Sequence, residues 1–102
     1  MILELRTYTV NKDSMDAFLE HFEKYSIPLH AAVGIKIDAT YVNRPQNEFI
    51  WIRSFDNEED RVAKTKAFTE ERAKRDIVLG QNVAKMEHKV MEVVDMKDSV
   101  FA

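Results

Sequence analysis

The chain has 102 residues, 45% of them hydrophobic and 32% charged, with 15 Lys and Arg against 18 Asp and Glu for a formal net charge of -3. This length supports one domain around one core, and a mildly acidic balance of mixed sign argues against a nucleic-acid partner, which needs a basic stripe. With no cysteine, disulfides, thiolate chemistry and cysteine-based zinc sites are excluded, as expected of a reducing compartment. The most basic window, Arg61 to Arg75, also holds Glu70 and Glu71 and reads as a solvated helix face. No run approaches ~18 apolar residues, and "MILELRTYTV" lacks a basic leader region. Neither a membrane span nor a leader is expected, and the expected location is the cytoplasm.

Residues 2–10 alternate as a strand does. Leu3, Leu5, Thr7 and Thr9 point one way, and Ile2, Glu4, Arg6, Tyr8 and Val10 the other. A helix follows, with Asp13 or Ser14 as its N-cap. Met15, Phe18, Leu19, Phe22 and Tyr25 form its apolar stripe. Pro28 cannot donate to the helical ladder, so the helix must kink or restart there. Ser26 is placed to cap the restart, and Gly34 to end it.

A strand is predicted over residues 35–43, then a turn at "NRPQNE" and a strongly β-forming stretch, "EFIWIRSF". Asp56, with Glu59 three residues on, has capping-box spacing. The helix it opens is expected to carry Val62, Ala63, Lys66 and Ala67 as its inner stripe. Thr69 is a candidate cap for another short helix, and Gly80 a candidate interruption. A last strand is expected over residues 87–94, followed by the tail "DMKDSVFA".

This order, β-α-β-β-α-β, predicts an α+β, ferredoxin-like domain spanning 1–102, with an antiparallel four-stranded sheet whose first and third strands lie in the middle. In the third strand Phe49, Trp51 and Phe55 share one face and Ile50 and Ile52 the other, so both faces of the sheet are apolar. Two helices cover one face only. A second copy is the simplest cover for the other, which predicts a homodimer.

The stretches "ELRTYTV", "IPLHAAVGIKI" and "EFIWIRSFDNEEDR" together resemble the NIPSNAP family, within the dimeric α+β barrel proteins. The resemblance spans residues 2 to about 95. It implies a ferredoxin-like monomer whose sheet pairs with a partner's sheet. Related barrel families include cofactor-free monooxygenases of quinol-like substrates, lactone isomerases and haem-binding enzymes.

Glu4, Arg6 and Tyr8 share a face of the first strand, and Trp51 and Arg53 a face of the third. Where those faces coincide, the charges either satisfy one another internally or line a pocket, because buried charge is costly unless paired. In the pocket reading, aromatics grip a flat or acidic small molecule and arginines hold its anionic group. His30 sits where helix passes to sheet. An imidazole with a pKa near ~6.5 suits a general base, able to take a proton from an acidic C–H or a phenol. As a metal or haem ligand it lacks partners, since neither His21 nor His88 stands at ligand spacing; no cofactor and no metal are expected. The enzymatic reading is a cofactor-free monooxygenase or isomerase with an open cavity touching His30. The alternative is a non-catalytic ligand-binding, regulatory or interaction dimer, with a filled interior and Glu4, Arg6 and Arg53 mutually satisfied.

Overall fold

The structure, a computed structural model, describes residues 1–96. From residue 97 onward the expected tail lies outside the described residues. Strand β1 (Ile2–Val10) leads into helix α1 (Met15–His21), a π turn (Phe22–Ser26) and helix α2 (Ile27–Ala32). Strands β2 (Lys36–Asn43) and β3 (Glu48–Phe55) form a hairpin around a short 3-10 turn at Arg44–Gln46. Helix α3 (Glu58–Lys74) and strand β4 (Val83–Glu92) complete the chain. The sheet order is β2-β3-β1-β4, with every pairing antiparallel. This is the ferredoxin-like α+β fold.

The apolar stripe of α1 does what its spacing requires. Met15, Phe18 and Phe22 are buried with Val10, Phe49 and Trp51 in one cluster, and Tyr8, Leu19, Ile37 and Val83 pack at its edge. Phe18 and Phe49 meet edge-on with ring centroids 5.0 Å apart, as do Phe22 and Trp51 at 5.1 Å, a favourable aromatic geometry. The aromatic face of β3 is therefore the covered one.

Several local expectations are corrected. Ser14 occupies the N-cap position of α1 but makes no cap bond; its hydroxyl donates to the Lys12 carbonyl instead. Ser26 does not cap a restart. It is helical itself (φ -73, ψ -45), because the π turn absorbs the proline without breaking the run. Asn57, rather than Asp56, caps α3, its side chain accepting from the Asp60 N–H at 2.8 Å. The Asp60 carboxylate in turn accepts from the Asp56 N–H at 3.0 Å, so the reciprocal pair sits one residue later than the spacing suggested. Helix α3 runs through Thr69, whose hydroxyl donates to the Thr65 carbonyl. Strand β4 spans Val83–Glu92 rather than 87–94; its alternating charges, which pair Lys85 with Glu87 at 2.8 Å, hide its beginning from an apolar pattern.

The inner stripe of α3 is also not the expected one. Val62, Ala63 and Lys66 are exposed, while Ala67 is partly buried as expected, beside Arg61, Lys64, Thr65, Phe68 and Arg72. No residue of α3 is fully buried. This inner face meets the sheet through Arg61, which reaches Glu4 of β1, and further along a chamber lies between helix and sheet.

Candidate functional site

Strand register builds the floor of that chamber. Glu4 lies opposite Arg53, and Arg6 opposite Trp51, so the two polar faces coincide. The Glu4 carboxylate, 1% exposed, is surrounded by guanidiniums. Its Oε1 accepts from Arg6 Nη1 at 3.1 Å and Arg53 Nε at 3.0 Å, with Arg53 Nη2 at 2.9 Å. Its Oε2 accepts from Arg61 Nη1 at 3.2 Å. Burial alone pushes the Glu4 pKa up, but Arg53, Arg61 and Arg6 together outweigh it and hold the carboxyl below its ordinary value. Arg6 also donates from Nε to the Tyr8 hydroxyl at 3.1 Å.

His30 is positioned by the end of its helix. Gly34 takes φ +75, the Gly34 N–H donates to Ala31 O at 3.2 Å and the Ile35 N–H to His30 O at 2.9 Å. These are the paired bonds of a Schellman helix end. They fix the backbone of His30, and the side chain is held at both ring nitrogens. Nδ1 lies 2.7 Å from the Ser26 carbonyl oxygen, and Nε2 3.1 Å from Arg53 Nη1. A carbonyl can only accept and a guanidinium can only donate, so the ring is the neutral tautomer with its proton on Nδ1. Burial, reinforced by the charge of Arg53, lowers the His30 pKa to about 4. The ring stands edge-on to Trp51 at 5.2 Å and packs on Phe68 at 4.6 Å. Both ring nitrogens are engaged, so the residue as held offers no lone pair to a metal or a haem iron. Among the described residues no three side chains converge on a metal ion.

The chamber has a volume of about 250 Å³ and is lined by Arg6, Tyr8, His30, Trp51 and Arg53 from the predicted set. Glu4 is not in its wall. It is buried beneath, holding the arginines. The structure adds Thr65, Phe68 and Arg72 from α3, and Leu79 and Met86 from beyond it. Among the described residues, three arginines and no carboxylate line the space. The Trp51 indole N–H and the Thr65 hydroxyl are buried without a hydrogen-bond partner among the described residues, unusual for native interiors. The chamber and the satisfied Glu4 network therefore coexist, where sequence reasoning set them as alternatives. Residues 61, 65, 68 and 72 recur at helical spacing, and that was the available signal. It was missed because the stripe is polar at three of its four positions.

Comparison with solved structures places this fold among known ones. A NIPSNAP family protein from Agrobacterium tumefaciens is 17% identical, with 92% of this chain and 93% of that one covered and a TM-score of 0.82. A NIPSNAP domain protein from Burkholderia xenovorans is 14% identical, covering 97% and 100%, with a TM-score of 0.80. A candidate antibiotic biosynthesis monooxygenase from Nitrosomonas europaea is 12% identical, covering 93% and 100%, with a TM-score of 0.64. A search of the curated proteins found no match. The NIPSNAP family model matches residues 3–96, and the chain belongs to the NIPSNAP family.

Proposed function

We infer that this chain is a small-molecule-binding protein whose site is the chamber between α3 and the sheet. The observation that carries the reading is the wall itself, with three arginines, no carboxylate and an unpartnered indole N–H in a space of about 250 Å³. Guanidiniums that outnumber the one carboxylate beneath them, set beside aromatic rings, favour a flat molecule with an anionic group. In the enzymatic form of this reading, His30 takes a proton from an acidic C–H or phenol of the ligand. That step is common to cofactor-free oxygenation and to isomerisation, and the likeness in fold to the Nitrosomonas protein favours the former. A ligand anion that draws Arg53 Nη1 away from His30 Nε2 would free the lone pair the step needs. Arg6 and Arg53 hold the anion, and Tyr8 and Trp51 form the walls.

One observation favours a second, non-catalytic reading. A histidine with a pKa of about 4 is a weak base at neutral pH, and Nε2 is already occupied. Assays with small hydroquinones and lactones, on wild type and on His30→Ala and His30→Gln, separate the two. Catalysis predicts turnover that falls by about 10² or more in both variants while ligand affinity is kept. Turnover unaffected by either substitution would eliminate the base role.

The protein works as a homodimer in this proposal, in the cytoplasm, as the cysteine-free composition favours. Leu3, Leu5, Ile50 and Ile52 form a half-buried apolar patch on the sheet face opposite the helices, with exposed Tyr41 beside it. A second copy is the natural cover. Sedimentation at micromolar concentration should give twice the chain mass of 11.9 kDa. A species of single-chain mass would refute the dimer.

A further inference from the structure

The three arginines of the chamber are not equally committed. Arg53 spends Nε and Nη2 on Glu4 and Nη1 on His30. Arg6 spends Nη1 on Glu4 and Nε on the Tyr8 hydroxyl, which leaves Nη2. The side chain of Arg72, one turn beyond Phe68 on α3, makes no hydrogen bond or ion pair among the described residues, and the residue lines the same space. A guanidinium in a chamber wall with its whole fork unused matches a planar, two-oxygen anion. Apart from His30 and the hydroxyl residues Ser26 and Thr65, the rest of the wall is aromatic or apolar, from Tyr8, Trp51 and Phe68 to Leu79 and Met86. The volume falls below the ~300 Å³ at which sites for drug-sized ligands begin, so the body of the ligand is small.

We propose that the chamber takes a small aromatic carboxylate, with Arg72 as the residue that selects its charge and Arg6 as the second donor. This deepens the chamber reading and rests on it. The ring lies among Trp51, Phe68 and Met86, and the carboxylate turns towards α3.

Calorimetric titration of the full chain with benzoate and 2-naphthoate, each beside its neutral amide, tests the assignment. At least one acid is expected to bind about tenfold or more tightly than its amide, the worth of one charge-assisted hydrogen bond. Arg72→Gln should bring acid and amide within about threefold of each other, and its melting temperature should stay at the wild-type value because Arg72 holds no partner. Acids and amides that bind equally well would overturn the carboxylate class while leaving the chamber reading in place. A preference unchanged in Arg72→Gln would overturn the role of Arg72. Failure of all four compounds to bind would overturn both the class and the chamber reading.

Discussion

His30 answers to two opposed donors and acceptors, and that makes it the most informative single residue. Its Nδ1–H is committed to Ser26 and its Nε2 to Arg53, so protonation must either expel Arg53 or place two cations 3.1 Å apart. The folded pKa, about 4, lies below the ordinary 6.5. The unfolded chain therefore takes up a proton as pH falls through 6.5, while the folded one resists until about 4. Stability is whole above 6.5, falls by about 3 kcal/mol between 6.5 and 4, and levels below. Glu4 acts in the same direction at lower pH, since its depressed pKa makes its contribution present above the ordinary carboxylate value and lost on acidification. Urea denaturation at a series of pH values should show the first loss in wild type and its absence in His30→Gln. Equal slopes for the two proteins between pH 6.5 and 4 would contradict the account of His30.

At the scale of elements, the site depends on how two helices end and face. Gly34 has φ +75, and a Cβ there would meet nothing closer than Lys64 Cε at 3.8 Å. Gly34→Ala thus carries backbone strain alone, expected to be about 1–2 kcal/mol in denaturant titration. A variant as stable as wild type would show that the helix end tolerates another geometry. The first three strands and the first helix were legible because their apolar residues follow periods of two and 3.6, as in "EFIWIRSF" and the Met15–Phe18–Phe22 stripe, whereas the charges of β4 hid its start. Pro28 was legible as a disturbance but not as a π turn, since the sequence marks the missing donor and not how the ladder absorbs it. Strand alternation put Glu4, Arg6 and Tyr8 on one face and Trp51 and Arg53 on another, and the pairing of β1 with β3 makes those faces coincide. Arg61, Thr65 and Arg72 could not be placed in this way. Hydrophobic periodicity finds apolar faces, and their face of α3 meets the sheet and the chamber with polar side chains.

At the scale of the whole molecule, the sheet separates two surfaces with different tasks. The helix side holds the aromatic core and the chamber within one chain. The other side carries Leu3, Leu5, Ile50 and Ile52, where a partner is proposed to sit. The named wall residues of the chamber all come from one chain, on the side of the sheet away from that patch, and loss of dimerisation is predicted to leave ligand binding in place. The central claim is that this chamber, and no other depression of the surface, receives a small molecule. Trp51, the single tryptophan of the chain, lies in its wall with an indole N–H that has no partner among the described residues. One indole resonance in a ¹H–¹⁵N spectrum therefore reports on the site alone. During titration with small aromatic acids, that resonance is predicted to shift and saturate together with the signals of Phe68 and Arg72. Saturable binding that leaves the Trp51 indole unmoved, with shifts confined to other surfaces, would contradict the account.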